Sequence, residues 1–402
     1  MKHRRSSAIR CTCLTLLWLA CATVYAADWP QWRGPGRDGK AVFDAPQTWP
    51  EALTQKWTVN VGLADATPAL VGDRLYVFVR QGDEEVTLCL DAATGRERWK
   101  SEGYPAPEVT GGARQHPGPR SSPAVGEGKV VTLGVGGVLS CLDADSGKLI
   151  WRKDPFPKAV PQFFTSCSPL IVDGRVIAQL GATDNGAILA FDLATGQEKW
   201  RWAEAGPEYA SPVLLTVGTS RQVVALTGKS VVGVSPANGT LLWKLPFASA
   251  RRSYNAATPI VNGTTVIYTG DGRGTFAVTI EQQGDAFAAR PVWSNDRTDT
   301  KFNTPVLKDS ALFGMSGRGN PFCIDARTGQ TTWTGEAVVD AGSCLVLLPS
   351  SGEMVVFAPD AEKYKELARF KVSDTPTYAH PILDGRRIFV KGGDTLTLWT
   401  ID

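Results

Sequence analysis

Beyond its first 26 residues the chain has no apolar run long enough to span a membrane and no run of basic residues. The same stretch also has no Cys-x-x-Cys pair, no adjacent cysteines and only two histidines, His116 and His380. Each absence removes a class of function. Without a run of about 20 apolar residues there is no spanning helix. Without a basic stripe, nucleic acid is excluded as the main partner. A structural zinc site needs clustered Cys and His. A Ser/His/Asp triad would have to use one of the two histidines, and neither lies near a nucleophile motif.

The first 26 residues differ from the rest. Lys2, Arg4, Arg5 and Arg10 form a basic start, an apolar run follows from Leu14 to Tyr25, and the segment ends in "VYAA". This order predicts a signal peptide (1–26) cut after Ala26. Lipoprotein processing at Cys21 in "WLAC" is the alternative, but Trp18 suits that box poorly, so ordinary cleavage is expected. The product would be exported, periplasmic or secreted. Loss of the four basic residues takes the net charge from +2 to −2. Five cysteines remain: Cys89, Cys141, Cys167, Cys323 and Cys344. An odd number cannot pair completely within one chain, and free thiols are expected.

Against these absences stands one strong presence. Five segments share a register: "CLDAATGRERW" (89–99), "CLDADSGKLIW" (141–151), "AFDLATGQEKW" (190–200), "GVSPANGTLLW" (233–243) and "CIDARTGQTTW" (323–333). Glycine holds the seventh position and tryptophan the eleventh in all five. An apolar run ends at Asp91, Asp143, Asp192 or Asp325, whose side chain can accept backbone N–H groups two residues on and start a turn. Gly95, Gly147, Gly196, Gly239 and Gly329 then supply the positive φ of a short hairpin loop. Cys89, Cys141 and Cys323 occupy the slot held by Ala190 and Gly233 in other copies. That is the mark of a small buried position rather than of a disulfide.

Upstream of each copy, a small residue and Pro precede an apolar strand, a turn and a second strand. Each unit therefore reads as four short strands, A to D. Units start at Pro68, Pro123, Pro169, Pro212, Pro259, Pro305, near Cys344, and at Pro381. The last unit has three strands, and "LTQKWTVNV" around Trp57 can supply its fourth. Closure by strands from both ends removes the open edges of an array. The expectation is all-β: an eight-bladed β-propeller over 49–402, with a docking tryptophan on the outer strands at Trp57, Trp99, Trp151, Trp200, Trp243, Trp293 and Trp333.

The eleven-residue unit resembles the tryptophan-docking motif of the PQQ-like β-propeller repeat family, whose pattern is A-x-D-x-x-T-G-x-x-x-W. The resemblance covers essentially the whole chain after residue 26. It implies that Trp99, Trp151, Trp200, Trp243 and Trp333 stack between neighbouring blades. Blade 5 departs with "TIEQQGDAFAARPVW", and blade 7 with "APDAEKYKELARF", where Phe370 replaces Trp. The family implies two functional classes. One is the quinoprotein alcohol and sugar dehydrogenases, which hold pyrroloquinoline quinone (PQQ) and Ca²⁺ above the channel, many with a vicinal disulfide. The other is cofactor-free binding scaffolds; the outer-membrane assembly factor BamB is similar in length and in having eight blades. The chain lacks adjacent cysteines and long insertions, and no Glu/Asn/Asp calcium set can be assigned in it. The expected function is a non-catalytic, cofactor-free scaffold in the cell envelope, monomeric, that contacts a protein or a glycan. The alternative is a PQQ- and calcium-dependent dehydrogenase.

Other motifs dissolve on inspection. "LTGKS" (226–230) lacks the first glycine of a phosphate loop. "GDGRG" (270–274) and "SGRGN" (316–320) fall at B–C hairpins and read as turns. The recognition surface is expected on the face of the long D–A loops, 101–121, 153–166, 246–257 and 294–303. Residues just before the blade prolines should line a central funnel: Arg120, Phe164, Tyr209, Tyr254, Asn255, Asn303, Tyr378 and His380. Arg114, Arg251, Arg252 and Lys301 add positive charge nearby. The tail "ADWPQWRGPGRDG" (27–39) begins an extended segment (27–48) expected to pack by Trp29 and Trp32 on the opposite face, which carries the Asp-Thr-Gly turns, away from the funnel.

Overall fold

The computed structural model describes residues 28–249, 253–334 and 343–402. The leader, and with it the signal peptide and Cys21, lies outside the described residues, as do Arg251 and Arg252. The chain folds into eight antiparallel sheets arranged as an eight-bladed propeller. Their inner strands are short; Ala69–Val71, Ala124–Gly126, Leu170–Val172 and Val306–Lys308 have three residues each. The last blade is completed by Thr54–Asn60, which pairs with Thr395–Thr400 and sets Trp57 opposite Leu398.

The repeat motif is explained by two contacts. Within a blade, each tryptophan lies directly across the hairpin from the small slot: Trp99 from Cys89, Trp151 from Cys141, Trp200 from Ala190, Trp333 from Cys323. A larger side chain there would collide with the indole. Between blades, the indole lies on the turn glycine of the next blade. A Cβ on Gly147 would sit 2.4 Å from Trp99, and one on Gly239 2.5 Å from Trp200. These glycines also have φ near +70°, so both the backbone and the contact demand glycine. The indole N–H then donates to a carbonyl in the same turn: Trp99 to Ala144 (3.1 Å), Trp151 to Leu193 (3.0 Å), Trp200 to Pro236 (2.9 Å) and Trp293 to Ala326 (2.8 Å). The aspartate fixes that turn: Asp91 Oδ1 accepts from the Thr94 N–H and hydroxyl, both at 2.9 Å.

The departures in blades 5 and 7 have structural consequences. Blade 5 replaces the Asp-Thr-Gly turn with a long hairpin, Gly274–Gln283 against Ala286–Asn295. Trp243 therefore has no turn to dock on; its N–H donates to Gln222 Oε1 of its own blade at 2.6 Å. Blade 7 shows three strands among the described residues: Leu345–Leu347, Glu353–Phe357 and Glu366–Lys371. Trp333 of blade 6 donates to Asp360 O in the turn joining the last two. Those two are therefore strands C and D, and Leu345–Leu347 is strand B. The start read near Cys344 is corrected to a second strand; an apolar run after a small residue imitates the inner-strand signature. At the seam, Phe370 meets Trp49 (5.8 Å between centroids), which stacks on Phe43 (6.2 Å). The N-terminal segment supplies the platform that the last blade, lacking a C–D turn, does not.

Trp200→Ala removes one inter-blade dock and is expected to cost at least ~3 kcal/mol; a melting temperature shifted by a degree or less would contradict the docking role. Cys89, Cys141, Cys167 and Cys323 are buried and free, and burial pushes the Cys141 and Cys167 thiols up to about 12. These four should not react with a thiol reagent at neutral pH until the chain unfolds.

Candidate functional site

An inner strand bonds to strand B on one side and turns its other edge to the propeller axis. Those edge groups are buried and need partners. Two devices supply them. The first is a belt of Ser and Thr placed immediately before the blade prolines. The Ser122 N–H donates to Ser168 Oγ (2.9 Å), Ser168 to Ser211 (2.8 Å), Ser211 to Thr258 (3.3 Å) and Thr258 to Thr304 (2.9 Å). The His380 N–H donates to Thr67 Oγ1 at 2.9 Å. Each bond links one blade to the next.

The second device is the N-terminal tail, which fills the channel. It enters at the face of the Asp-Thr-Gly turns, where Asp28 accepts from Gly72 N–H in an A–B turn. Trp29 exchanges two backbone bonds with Leu70 of blade 1, and Pro30 O accepts from Val125 of blade 2. Arg33 donates to Thr304 O and Pro305 O of blade 6, both at 2.8 Å. Arg37 donates to Pro169 O (2.8 Å) and Ser168 O (3.0 Å) of blade 3. The tail then returns, and Phe43 pairs with Gly385 in the A–B turn of blade 8. Arg33, Gly34, Arg37 and Gly39 all have positive φ, which folds the segment into a compact loop. Both arginines are buried and, among the described residues, neither forms an ion pair; burial pushes Arg33 down to about 10, against the opposing pull of the Asp38 charge, and Arg37 to about 9. Both remain charged at neutral pH, held by carbonyl oxygens.

The expectation that the tail lies away from the funnel is corrected. Inner strands of three residues in most blades give a channel only about 10 Å deep at ~3.3 Å per residue, so the loop reaches through to the other face. Trp32 sits at its tip. It donates to Thr258 Oγ1 at 3.0 Å and packs on His380, 5.0 Å between ring centroids. It forms the floor of a cavity of about 350 Å³ whose walls include Phe302, Asn303, Leu348, Tyr378 and His380.

The other residues expected at the rim have diverse places. Phe163, Tyr209, Tyr254 and Phe302 make an aromatic arc, with centroid distances of 6.2 Å (Phe163–Tyr209), 6.0 Å (Tyr209–Tyr254) and 6.1 Å (Tyr254–Phe302). Tyr378 is exposed and stands edge-on to His116, whose Nδ1 bonds Asp65 at 2.6 Å. Asn303 bonds the Met315 backbone through both ends of its amide. Phe164, at φ 65°, packs with Val109, Ala113 and Val135. Arg120 clamps two loops through His116 O and Phe163 O. Asn255 is fully buried and donates to Thr227 O and Phe247 O; it does not present a rim surface. Lys301 lies over the Tyr254 and Phe302 rings, and Arg114 is exposed.

Among the described residues, no three or more His, Cys, Asp and Glu are grouped to hold a metal ion, and no helix is long and apolar enough to cross a membrane. Sequence reasoning missed Trp32, Arg33, Arg37, Phe163 and Phe302 as members of the site. The signal for the first three was a tail rich in Arg, Gly and Trp with no periodicity of its own.

Residues 82–335 match the profile of a family described as outer membrane protein assembly factor BamB. A protein of that name from Burkholderia pseudomallei (strain K96243) is 24% identical over 96% of this chain and 95% of its own length. Quinohemoprotein alcohol dehydrogenase ADH-IIG of Pseudomonas putida is 27% identical over 46% of this chain and 26% of its own. The crystal structure of BamB from Moraxella catarrhalis superposes with a TM-score of 0.65 at 15% identity, covering 87% of this chain and 98% of that one.

His380 provides a pH test of the tail's position. Burial, then the Arg33 charge, pushes it down from 6.5 to about 3. Between those values the unfolded chain binds a proton that the folded chain refuses, so stability falls as pH falls through that window. Urea midpoints at pH 7 and pH 4 should differ more for the native chain than for His380→Gln; equal differences would contradict burial of this ring against the tail.

Proposed function

The chain belongs to the outer membrane protein assembly factor BamB family, and we propose that it is an exported, non-catalytic scaffold of the cell envelope that grips a protein partner with its funnel face. The observation that carries this reading is the filled axis. The tail occupies the channel from below, and what remains above it is a shallow, aromatic-rimmed bowl rather than a deep site. Aromatic side chains are enriched at protein contacts. A relative that spans 96% of the chain carries the name of an assembly factor, which supports the same reading.

The quinoprotein alternative asks for PQQ with Ca²⁺ over the channel. Ca²⁺ takes six to eight oxygens and usually carboxylates among them. Among the described residues, the lining of the cavity above Trp32 contains no Asp or Glu. These residues do not fit that metal.

Site-specific photocrosslinking in a Gram-negative envelope tests the proposal. A photoreactive residue at Tyr378, on the funnel face, should trap a discrete protein. One at Leu149, exposed on an outer strand, should not. Equal labelling from both positions, or none from Tyr378, would contradict a funnel-face partner.

A further inference from the structure

We infer that the cavity above Trp32 receives one apolar side chain, best an aromatic one, that stands next to a carboxylate on the partner protein. This rests on the scaffold reading and specifies its contact chemistry.

The first observation is exposure. Phe302 is 72% exposed and Tyr378 53%, among the few large apolar side chains so placed, and both line this one cavity. Apolar surface gathered at one concave spot marks a contact site, whereas apolar residues scattered singly do not. The second is size. At about 350 Å³ the cavity is at the low end of ligand sites, matched to one or two side chains.

The third observation is that part of the polar lining is already committed. The Asn303 amide is used on the Met315 backbone, Ser316 Oγ accepts from Asn320 N–H, and Thr377 Oγ1 donates to Pro349 O. An apolar side chain needs no polar partner, and the Trp32, Phe302 and Tyr378 rings offer it apolar surface. The fourth is charge. His380 is held neutral at pH 7 by burial, and among the described residues that line the cavity Lys301 is the ionised group. Its Nζ lies 5.3 Å from the Phe302 ring centre and 3.6 Å from Asp271, a long contact that an incoming carboxylate can share; Asp299 also stands beside Gly317 at this edge. A cation at the lip of an apolar cup selects an apolar group flanked by an acid.

Three capped tripeptides test this on the whole mature chain by saturation-transfer NMR and calorimetry: Asp-Phe-Asp, Lys-Phe-Lys and Asp-Ala-Asp. Asp-Phe-Asp should bind at least about tenfold tighter than either other. Phe302→Ser should abolish that advantage, and Lys301→Glu should transfer it to Lys-Phe-Lys. Both positions lie outside the buried core, and unchanged melting curves would verify the fold. Equal binding of the three peptides, no binding at concentrations on the order of millimolar, or an unchanged preference in both variants would overturn the inference. Failure here with persistent crosslinks from Tyr378 leaves the scaffold reading intact; peptide binding without crosslinks does the reverse.

Discussion

The inner edges of eight blades converge on one axis, and every backbone group there must find a partner out of water. This requirement organises the molecule. Strand B satisfies only one edge of each inner strand. Hydroxyls of the belt take N–H groups, and Arg33 and Arg37 give N–H groups to carbonyls. An arginine suits this task because its guanidinium carries five donors in a rigid fork. A buried carbonyl left without a donor costs about 1–3 kcal/mol, so the two guanidinium groups together offset several such penalties. The same charges would be costly in an apolar channel; here they are solvated by protein oxygens.

A second system lies farther out, where each indole sits on the glycine of the next blade's turn. The two systems are concentric and independent in sequence. The outer one repeats with the motif. The inner one combines the repeated Ser/Thr-Pro position with a single tail of no repeating character. They meet at the seam, where residues from 28 to 60 supply the plug, the Phe43–Trp49 platform and the closing strand. The ring is therefore tied shut both at its axis and at its edge by one segment of chain.

This division explains what could be read in advance. The Asp-Thr-Gly turn, the small slot and the tryptophan are local features copied several times, and repetition separates them from chance. Closure by Trp57 followed from counting strands. Arg33, in contrast, bonds residues 271 and 272 positions away, and no spacing rule announces such a contact. The tail's entry by the turn face was inferable from strand direction, but its depth was not, because depth depends on most inner strands being only three residues long. Asn255 precedes a blade start as a rim residue should, yet the buried carbonyls of Thr227 and Phe247 claim it. Phe302 stands one residue from Asn303, yet its ring is exposed while the Asn303 amide turns to the Met315 backbone.

Function follows from the same arrangement. The plug closes the channel and brings Trp32 into the lining of the cavity, so the tail is a wall of the candidate site as well as a fastening of the fold. Hydrogen exchange on the intact chain tests this most directly. The Leu70 and Val125 amides lie on inner-strand edges and donate to Trp29 O and Pro30 O. With the tail seated in the channel they should exchange as slowly as amides at the centres of the blades. Rapid exchange at these two amides, with the blades otherwise protected, would show an open axis and contradict the account.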